Sequence, residues 1–281
     1  MIPSVRIERV RSFLPFLACP ACRTGVGLDG DALRCESCAA LYPLRKGRPV
    51  FLPDPGAVKE MPVEHLSNQL LPEVTDWLLR LDGYALNVGA GGTALKLPNC
   101  LEMEYAIFRH TDVVGDAHRL PFHDNVFDAV VTFNTFEHLY DPRRAAGELH
   151  RVLKPGGKVF LHTAFLQPLH EAPHHYYNAT EFGIRRWFEA FDITDLRVTD
   201  NFQPAYVLAW LSSELLRAVE HELGAEAAAL LEDSPLQFWK SAWENPGFRT
   251  DTLWTLLRKL SPDVQKRFAA GFHLEATKAA A

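Results

Sequence analysis

An α/β fold built on a mostly parallel sheet flanked by helices, with a small metal-stapled module ahead of it and a helical extension behind, is what this 281-residue sequence predicts. Three observations carry the prediction. Short apolar runs alternate with helical stretches through the middle of the chain, a glycine-rich turn follows the first of those runs, and two Cys-x-x-Cys pairs stand near the N-terminus.

The cysteine pairs come first in the chain. Cys19-Pro-Ala-Cys22 and Cys35-Glu-Ser-Cys38 are separated by twelve residues. Four thiolates so spaced suit one tetrahedral zinc, which favours sulfur and needs no open position in a structural site. Disulfides are the alternative reading, and the cytoplasmic setting expected below disfavours them. Cys100 is left over and reads as buried packing. The module should span residues 1–53. It holds eight Lys/Arg against four Asp/Glu, a local excess of +4 in a chain of net charge −6. A zinc tetrathiolate carries about −2 of its own, so the excess is a weak hint of RNA contact.

Composition bounds the rest. At 47% hydrophobic and 23% charged, the chain can bury a sizeable core, and global disorder is excluded. No apolar run approaches the roughly 18–20 residues of a membrane span, and arginines interrupt the first eighteen residues, so a soluble cytoplasmic protein with no membrane contact is expected.

Three prolines and a glycine between Pro53 and Pro62 read as a linker. Leucines and Trp77 at helical spacing predict a lead-in helix over 64–81, stopped by Asp82-Gly83, so that 54–83 is linker plus helix. A strand over 84–88 then enters the glycines. The apolar runs near 100–105, 112–114, 127–133 and 158–163 read as buried parallel strands. A helix over 142–153 has Asp141 as N-cap and Pro142 at its first position, and Lys154-Pro155-Gly156-Gly157 closes it. In open sheets of this kind ligands lie beyond the carboxyl ends of the strands, which gathers Gly89 to Thr93, Glu104, Asp116 and Asn134 to His138. From residue 201 the chain is helical again: Leu208, Leu211, Leu215, Val219 and Leu223 form one stripe, and Leu253, Leu256, Leu257 and Leu260 suggest another. This 201–281 extension packs over the 84–200 domain or pairs with a second subunit as an oligomer contact.

Four motifs in register carry a resemblance. They are Leu86-Asn87-Val88-Gly89-Ala90-Gly91-Gly92, Val114-Gly115-Asp116-Ala117-His118-Arg119-Leu120-Pro121-Phe122, Asn125-Val126-Phe127-Asp128-Ala129-Val130-Val131, and Glu148-Leu149-His150-Arg151-Val152-Leu153-Lys154-Pro155-Gly156-Gly157. Their order resembles the Rossmann-like class I S-adenosylmethionine-dependent methyltransferases, and within them the type 11-like subgroup that acts mostly on small molecules. The resemblance implies that Gly89 and Gly91 approach the amino-acid part of the cofactor, that Glu104 (or Glu102) accepts from both ribose hydroxyls, that Asp116 accepts from the adenine amino group beside the Ala117 N–H, and that Asn134 borders the methyl sulfonium. Asn87 stands where the family usually has an acid. Only seven residues, Thr93 to Asn99, separate the glycines from the next strand. A parallel crossover usually needs about a dozen, so the first helix of the fold should shrink to a turn or loop.

The N-terminal module resembles the zinc ribbon of small activator proteins for tRNA and protein methyltransferases, and similar ribbons precede some ribosomal-RNA guanine methyltransferases. Glu137-His138 followed by His162, His170, His174 and His175 resembles the metal site of small-RNA 2′-O-methyltransferases and ubiquinone-pathway O-methyltransferases. Those groups read as ligands of a second divalent metal, as a histidine base, or as substrate contacts and packing. Asn178 and Glu181 are spaced as a capping box, and Tyr176 and Tyr177 cover the substrate or anchor their loop. The implied activity is methyl transfer to a small, oxygen-bearing acceptor, with Glu137, His138, His170 and His174 near it. Methylation of rRNA or tRNA is one alternative, and a methyltransferase fold that no longer methylates is another.

Overall fold

The structure, a computed structural model, describes residues 4–275 and 277. Two compact units divide the described residues: 4–165 with 173–196, and 166–172 with those from 197 onward.

The first unit begins with α1 (Ser4–Phe13) and a four-stranded antiparallel sheet in sequential order, β1 (Val26–Asp29), β2 (Ala32–Cys35), β3 (Leu41–Arg45) and β4 (Arg48–Pro49). Lys46 and Gly47, both at positive φ (48° and 72°), make the two-residue turn that joins β3 to β4 with the twist a hairpin needs. The chain leaving β4 does not swing free. Val50 bridges Val114 in parallel, Phe51 N–H donates to the Val114 carbonyl (2.8 Å), and Glu60 bridges Ile107.

Beyond this edge lies a wholly parallel sheet of β5 (Ala85–Val88), β6 (Cys100–Glu104), β7 (Val113–Val114), β8 (Phe127–Phe133) and β9 (Leu153–His162), in the spatial order β7-β6-β5-β8-β9. Strand order reverses at β5, which places the glycine turn at the switch point. Both faces are covered, as an all-parallel sheet requires. Leu86, Val88, Leu101, Met103 and Val130 pack with Phe13, Leu17, Phe122 and Leu149. Ala85, Cys100, Val131 and Phe133 pack with Val74 and Leu78 of α2 (Pro72–Leu79). Asp141 caps α3 (Pro142–Val152), accepting from Arg144 N–H at 3.0 Å, as its sequence predicts. Lys154 to Gly157 end that helix by entering β9 as an irregularity, where the pairing with β8 slips between Phe127 and Ala129.

Two local expectations need correction here. The helix predicted over 64–81 is confined to α2, because Pro72 takes the first helical position and holds Leu71 extended (ψ 145°). The residues before it do other work at the glycine turn. Asn178 is not a helix cap: α4 (Glu181–Trp187) is capped by Thr180, whose hydroxyl accepts from Gly183 N–H (3.2 Å). No helix joins β5 to β6, as the short crossover predicts. On the sheet face of Glu102 a polar cluster appears. The nearly buried Glu102 and Asp112 meet Lys96, Arg9 bonds Asp112 through Nε (3.0 Å), and Thr93 Oγ1 donates to Glu102 (3.0 Å).

The second unit contains α5 (Pro204–Leu223), α6 (Ala225–Glu232), α7 (Leu236–Glu244), α8 (Thr252–Leu256) and α9 (Pro262–Arg267) around Val219, Ala227, Leu231, Leu256 and Leu260. Leu208, expected in the first stripe, is exposed. No described helix is long and apolar enough to cross a membrane.

One clamp ties the ribbon to the parallel sheet. Arg23, in the first cysteine knuckle, forks onto Glu148 of α3 (2.8 and 3.0 Å) and donates to the Leu120 carbonyl (3.2 Å). Glu148 also accepts from Leu120 N–H (2.8 Å), and Arg151 joins both. Burial would raise the Glu148 carboxyl, but Arg151 and Arg23 outweigh it and hold it below the ordinary range. With the folded value depressed, the unfolded chain binds more protons, so the clamp contributes fully above about pH 4.3 and is lost as pH falls through the folded value. Arg23→Ala should cost about 1–2 kcal/mol at neutral pH, a figure discounted for the partly exposed guanidinium. Urea melts at pH 7 and pH 3 check this, and the gap between wild type and variant should narrow at the lower pH.

Candidate functional site

The site is built at the carboxyl ends of β5, β6 and β7. Gly89, at φ 67°, turns the chain out of β5, and its N–H donates back to the Met103 carbonyl (3.0 Å). A Cβ there would lie 2.0 Å from Thr135 Oγ1, so packing against the β8 exit enforces glycine as firmly as the backbone does.

Residues 65–69 lie along this turn. Ser67 exchanges hydrogen bonds with Gly92, its N–H donating to the Gly92 carbonyl (3.1 Å) and its hydroxyl accepting from Gly92 N–H (3.0 Å). Asn68 Nδ2 donates to the Gly89 carbonyl (2.9 Å), while Gln69 reaches the Gly92 carbonyl (2.8 Å) and Ala94 N–H (2.9 Å). A Cβ on Gly92 would meet the His65 carbonyl at 2.0 Å. The segment thus supports a turn that has no following helix to hold it. Periodicity missed it because Leu66, Leu70 and Leu71 continue the helical spacing; Pro72 was the available signal.

Glu104 ends β6 and binds the same turn, accepting from Gly91 N–H (2.7 Å) and Tyr105 N–H (2.8 Å). Burial raises its carboxyl, against the pull of these N–H groups. Glu102, the other candidate acid, is committed to Thr93 and Lys96 and is nearly buried. Asn87 is buried in mid-strand, on the same sheet face as Glu102. Asp116 follows β7, its side chain 38% exposed, and Ala117 beside it is buried. Asn134 leaves β8 at φ 50°, with its N–H on the His162 carbonyl (3.0 Å).

The candidate histidines fall in both units: His138, His162, His174 and His175 in the first, His170 in the second. Glu137 and His138 lie in a short turn after β8, and the buried Glu137 accepts from Thr163 Oγ1 (3.0 Å). His138 Nδ1 meets the His174 carbonyl (3.0 Å). A carbonyl only accepts, so Nδ1 carries a proton. Tyr176 and Tyr177 N–H both donate to the Glu137 carbonyl (2.8 and 3.2 Å), and Tyr177 OH reaches the Tyr140 carbonyl (3.2 Å). These bonds anchor the loop, while Tyr140, Tyr176 and Tyr177 keep 39–55% of their surface exposed. His162 stacks on Phe133 (4.0 Å). His170 belongs to the second unit, with Nδ1 on the Pro168 carbonyl (2.9 Å) and its ring facing Trp210.

Cys19, Cys22, Cys35 and Cys38 converge, their sulfurs all within 4.8 Å of one another. Cys19–Cys38 at 3.6 Å and Cys22–Cys35 at 3.4 Å are close to the roughly 3.8 Å edge of a tetrahedron with 2.3 Å zinc–sulfur bonds. The donor set and geometry therefore fit zinc. Tyr42 OH lies 3.0 Å from Cys19 Sγ, and Ser37 and Cys38 N–H both point at Cys35 Sγ (3.4 Å), a support such ligands need.

A methyltransferase-domain family model matches residues 94–161, a span that begins just after the glycine turn. Over 49 residues the chain is 45% identical to demethylmenaquinone methyltransferase of Thermotoga maritima, covering 17% of this chain and 21% of that protein. Over 107 residues it is 34% identical to an uncharacterized methyltransferase of Mycobacterium tuberculosis, covering 32% of this chain and 44% of that protein. The chain spans less than half the length of these curated relatives. Among solved structures, the (4+2)-cyclase SpnF is similar at 20% identity and a TM-score of 0.39, covering 61% of this chain and 76% of that one. A structure of the Haloferax volcanii Trm112 methyltransferase activator with a methyltransferase is similar at 17% identity and a TM-score of 0.32, covering 48% and 82%. Residues 94–161 are thus a methyltransferase-type segment, in line with the motif resemblance.

Metal analysis of the purified protein should find one zinc per chain, lost in Cys38→Ser. Stripping it with a chelator should lower the melting midpoint by at least about 5 °C, since the knuckle carrying Arg23 loses its staple.

Proposed function

We propose that the chain is an S-adenosylmethionine-dependent methyltransferase acting on a small hydroxylated acceptor. One juxtaposition carries the reading: a glycine turn, a half-buried carboxylate and a partly exposed carboxylate end three adjacent parallel strands, β5, β6 and β7, at the point where strand order reverses. The set matches a nucleoside bearing an amino acid. Glu104 offers acceptors to a cis-diol, Asp116 offers one to an exocyclic amino group, and the Gly89 carbonyl, now receiving the Asn68 amide, is of the kind an ammonium group seeks. When bound, the cofactor supplies an already activated methyl group.

The protein is then left to align the acceptor, exclude water and remove a proton. His138 is suited to the last task, because the His174 carbonyl accepts from its Nδ1 and fixes the imidazole beside the exit of β8. With the cofactor bound, the acceptor oxygen would take the methyl group as its carbon–sulfur bond breaks and the neutral thioether leaves, and the acceptor's hydroxyl proton would go to the His138 imidazole. Glu137 holds the turn through Thr163, and exposed Tyr140, Tyr176 and Tyr177 suit a planar or polyhydroxylated acceptor. The zinc ion has no step in this chemistry. It holds the ribbon that carries Arg23.

No observation favours an RNA acceptor. Of the eight basic residues in the ribbon, Arg9, Arg23, Arg34, Arg45, Lys46 and Arg48 are bonded within the chain, which consumes most of its charge excess.

Calorimetry with S-adenosylhomocysteine tests the cofactor reading. Micromolar binding is expected, weakened about 10- to 100-fold by Glu104→Ala as two charge-assisted bonds are lost. Folded protein that does not bind would mean a scaffold that no longer methylates. With a panel of phenols and catechols, His138→Ala should lower turnover by about 10²–10⁴-fold while leaving cofactor affinity within about twofold.

A further inference from the structure

Asp116 is not left to itself at the end of β7. Its Oδ1 accepts two hydrogen bonds from one residue, the backbone N–H of His118 (2.9 Å) and the His118 ring at Nδ1 (2.6 Å). The ring is buried, 4% exposed, and it is fixed on its other side too. Nε2 accepts from Asp141 N–H (3.2 Å), at the residue that caps α3, and the ring stacks on Tyr140 at 3.9 Å and 22°. A backbone N–H can only donate, so Nε2 must hold a lone pair and Nδ1 the proton. Turning the ring over would replace both nitrogens by carbons and leave the Asp141 N–H and the carboxylate without these partners. The ring therefore has one orientation and one tautomer, and it presents a single donor to Asp116.

The consequence falls on the other carboxylate oxygen. With Oδ1 engaged twice, Oδ2 has no hydrogen bond among the described residues, and the side chain is 38% exposed. Burial would raise the Asp116 carboxyl, but the two His118 donors hold it below the ordinary range, so Oδ2 is an acceptor only. A swivelling aspartate, or a protonated one, could meet an amino group and a carbonyl alike.

We propose that His118 is a positioning residue that pins Asp116 with one oxygen outward, so that the site selects a purine bearing a 6-amino group over one bearing a 6-oxo group. The proposal rests on the cofactor reading above. A 6-amino group donates to the fixed Oδ2, whereas a 6-oxo group sets one acceptor against another and leaves both unpaired. His118 acts through Asp116 and need not touch the ligand.

The test compares S-adenosylhomocysteine with S-inosylhomocysteine by calorimetry on the full chain loaded with zinc, in wild type, His118→Phe and His118→Asn. Wild type should prefer the adenosyl ligand by about tenfold or more. His118→Phe keeps the stacking surface and loses the donor, so adenosyl affinity should fall about tenfold and the preference shrink toward unity. Asn carries an amide nitrogen near the position of Nδ1 and should restore most of the preference. A folded His118→Phe that keeps the wild-type preference overturns the proposal while leaving the cofactor reading intact. A wild type that binds neither ligand overturns both. Should the phenylalanine variant fail to fold, nitrogen NMR of the wild-type imidazole decides: a protonated Nδ1 with a lone pair on Nε2 is required, and the opposite tautomer overturns it.

Discussion

The carboxylate of Glu148 holds three separate stretches of chain at one point. It receives the Arg23 fork from the cysteine knuckle, Arg151 from its own helix, and the Leu120 N–H from the loop that follows Asp116. Leu120 is bound at both ends, since its carbonyl takes Arg23 and Arg151. Ala18 N–H on the Pro121 carbonyl and the bridge from Leu17 to Phe122 extend the same seam. The ribbon is therefore a wall of the loop that carries Asp116. The four-cysteine cluster, whose first knuckle carries Arg23, is thereby linked to that loop.

A second constraint comes from a missing part. Crossovers between parallel strands normally bring a helix whose first turn braces the glycine loop, and here only eleven residues join β5 to β6 with no helix among them. Two substitutes share its work. The side chains and backbone of Ser67, Asn68 and Gln69 satisfy the polar groups of the turn, and the Glu102–Lys96–Asp112–Arg9 cluster fills the exposed sheet face with paired charges. Buried charges persist only when paired, so this cluster tolerates loss of either sign poorly.

The site that results is organised by fixed hydrogen-bond direction more than by net charge. His118 and His138 both carry a proton on Nδ1, one fixed by an N–H and a carboxylate, the other by a carbonyl. One ring spends its proton on Asp116, and the other gives its Nδ1 proton to the His174 carbonyl near the exit of β8. Identical side chains thus take different tasks because different backbone groups face them.

Much of this was legible in the residues themselves. Alternating apolar runs, the Asp141-Pro142 helix start and the short spacing after Gly92 determined the parallel sheet, α3 and the absent helix, because periodicity, capping and chain reach are local properties. The same holds for the cysteine pairs, whose spacing alone brings four sulfurs together. What only the tertiary structure decided are relations between distant residues: Ser67 to Gln69 leaving a helical pattern to brace the glycine turn, Arg23 reaching Glu148, Leu208 facing outward, and Glu104 rather than Glu102 standing at the turn. Each depends on which groups remain unsatisfied once the sheet has formed, and a buried donor or acceptor finds its partner by proximity in space, which sequence separation does not encode.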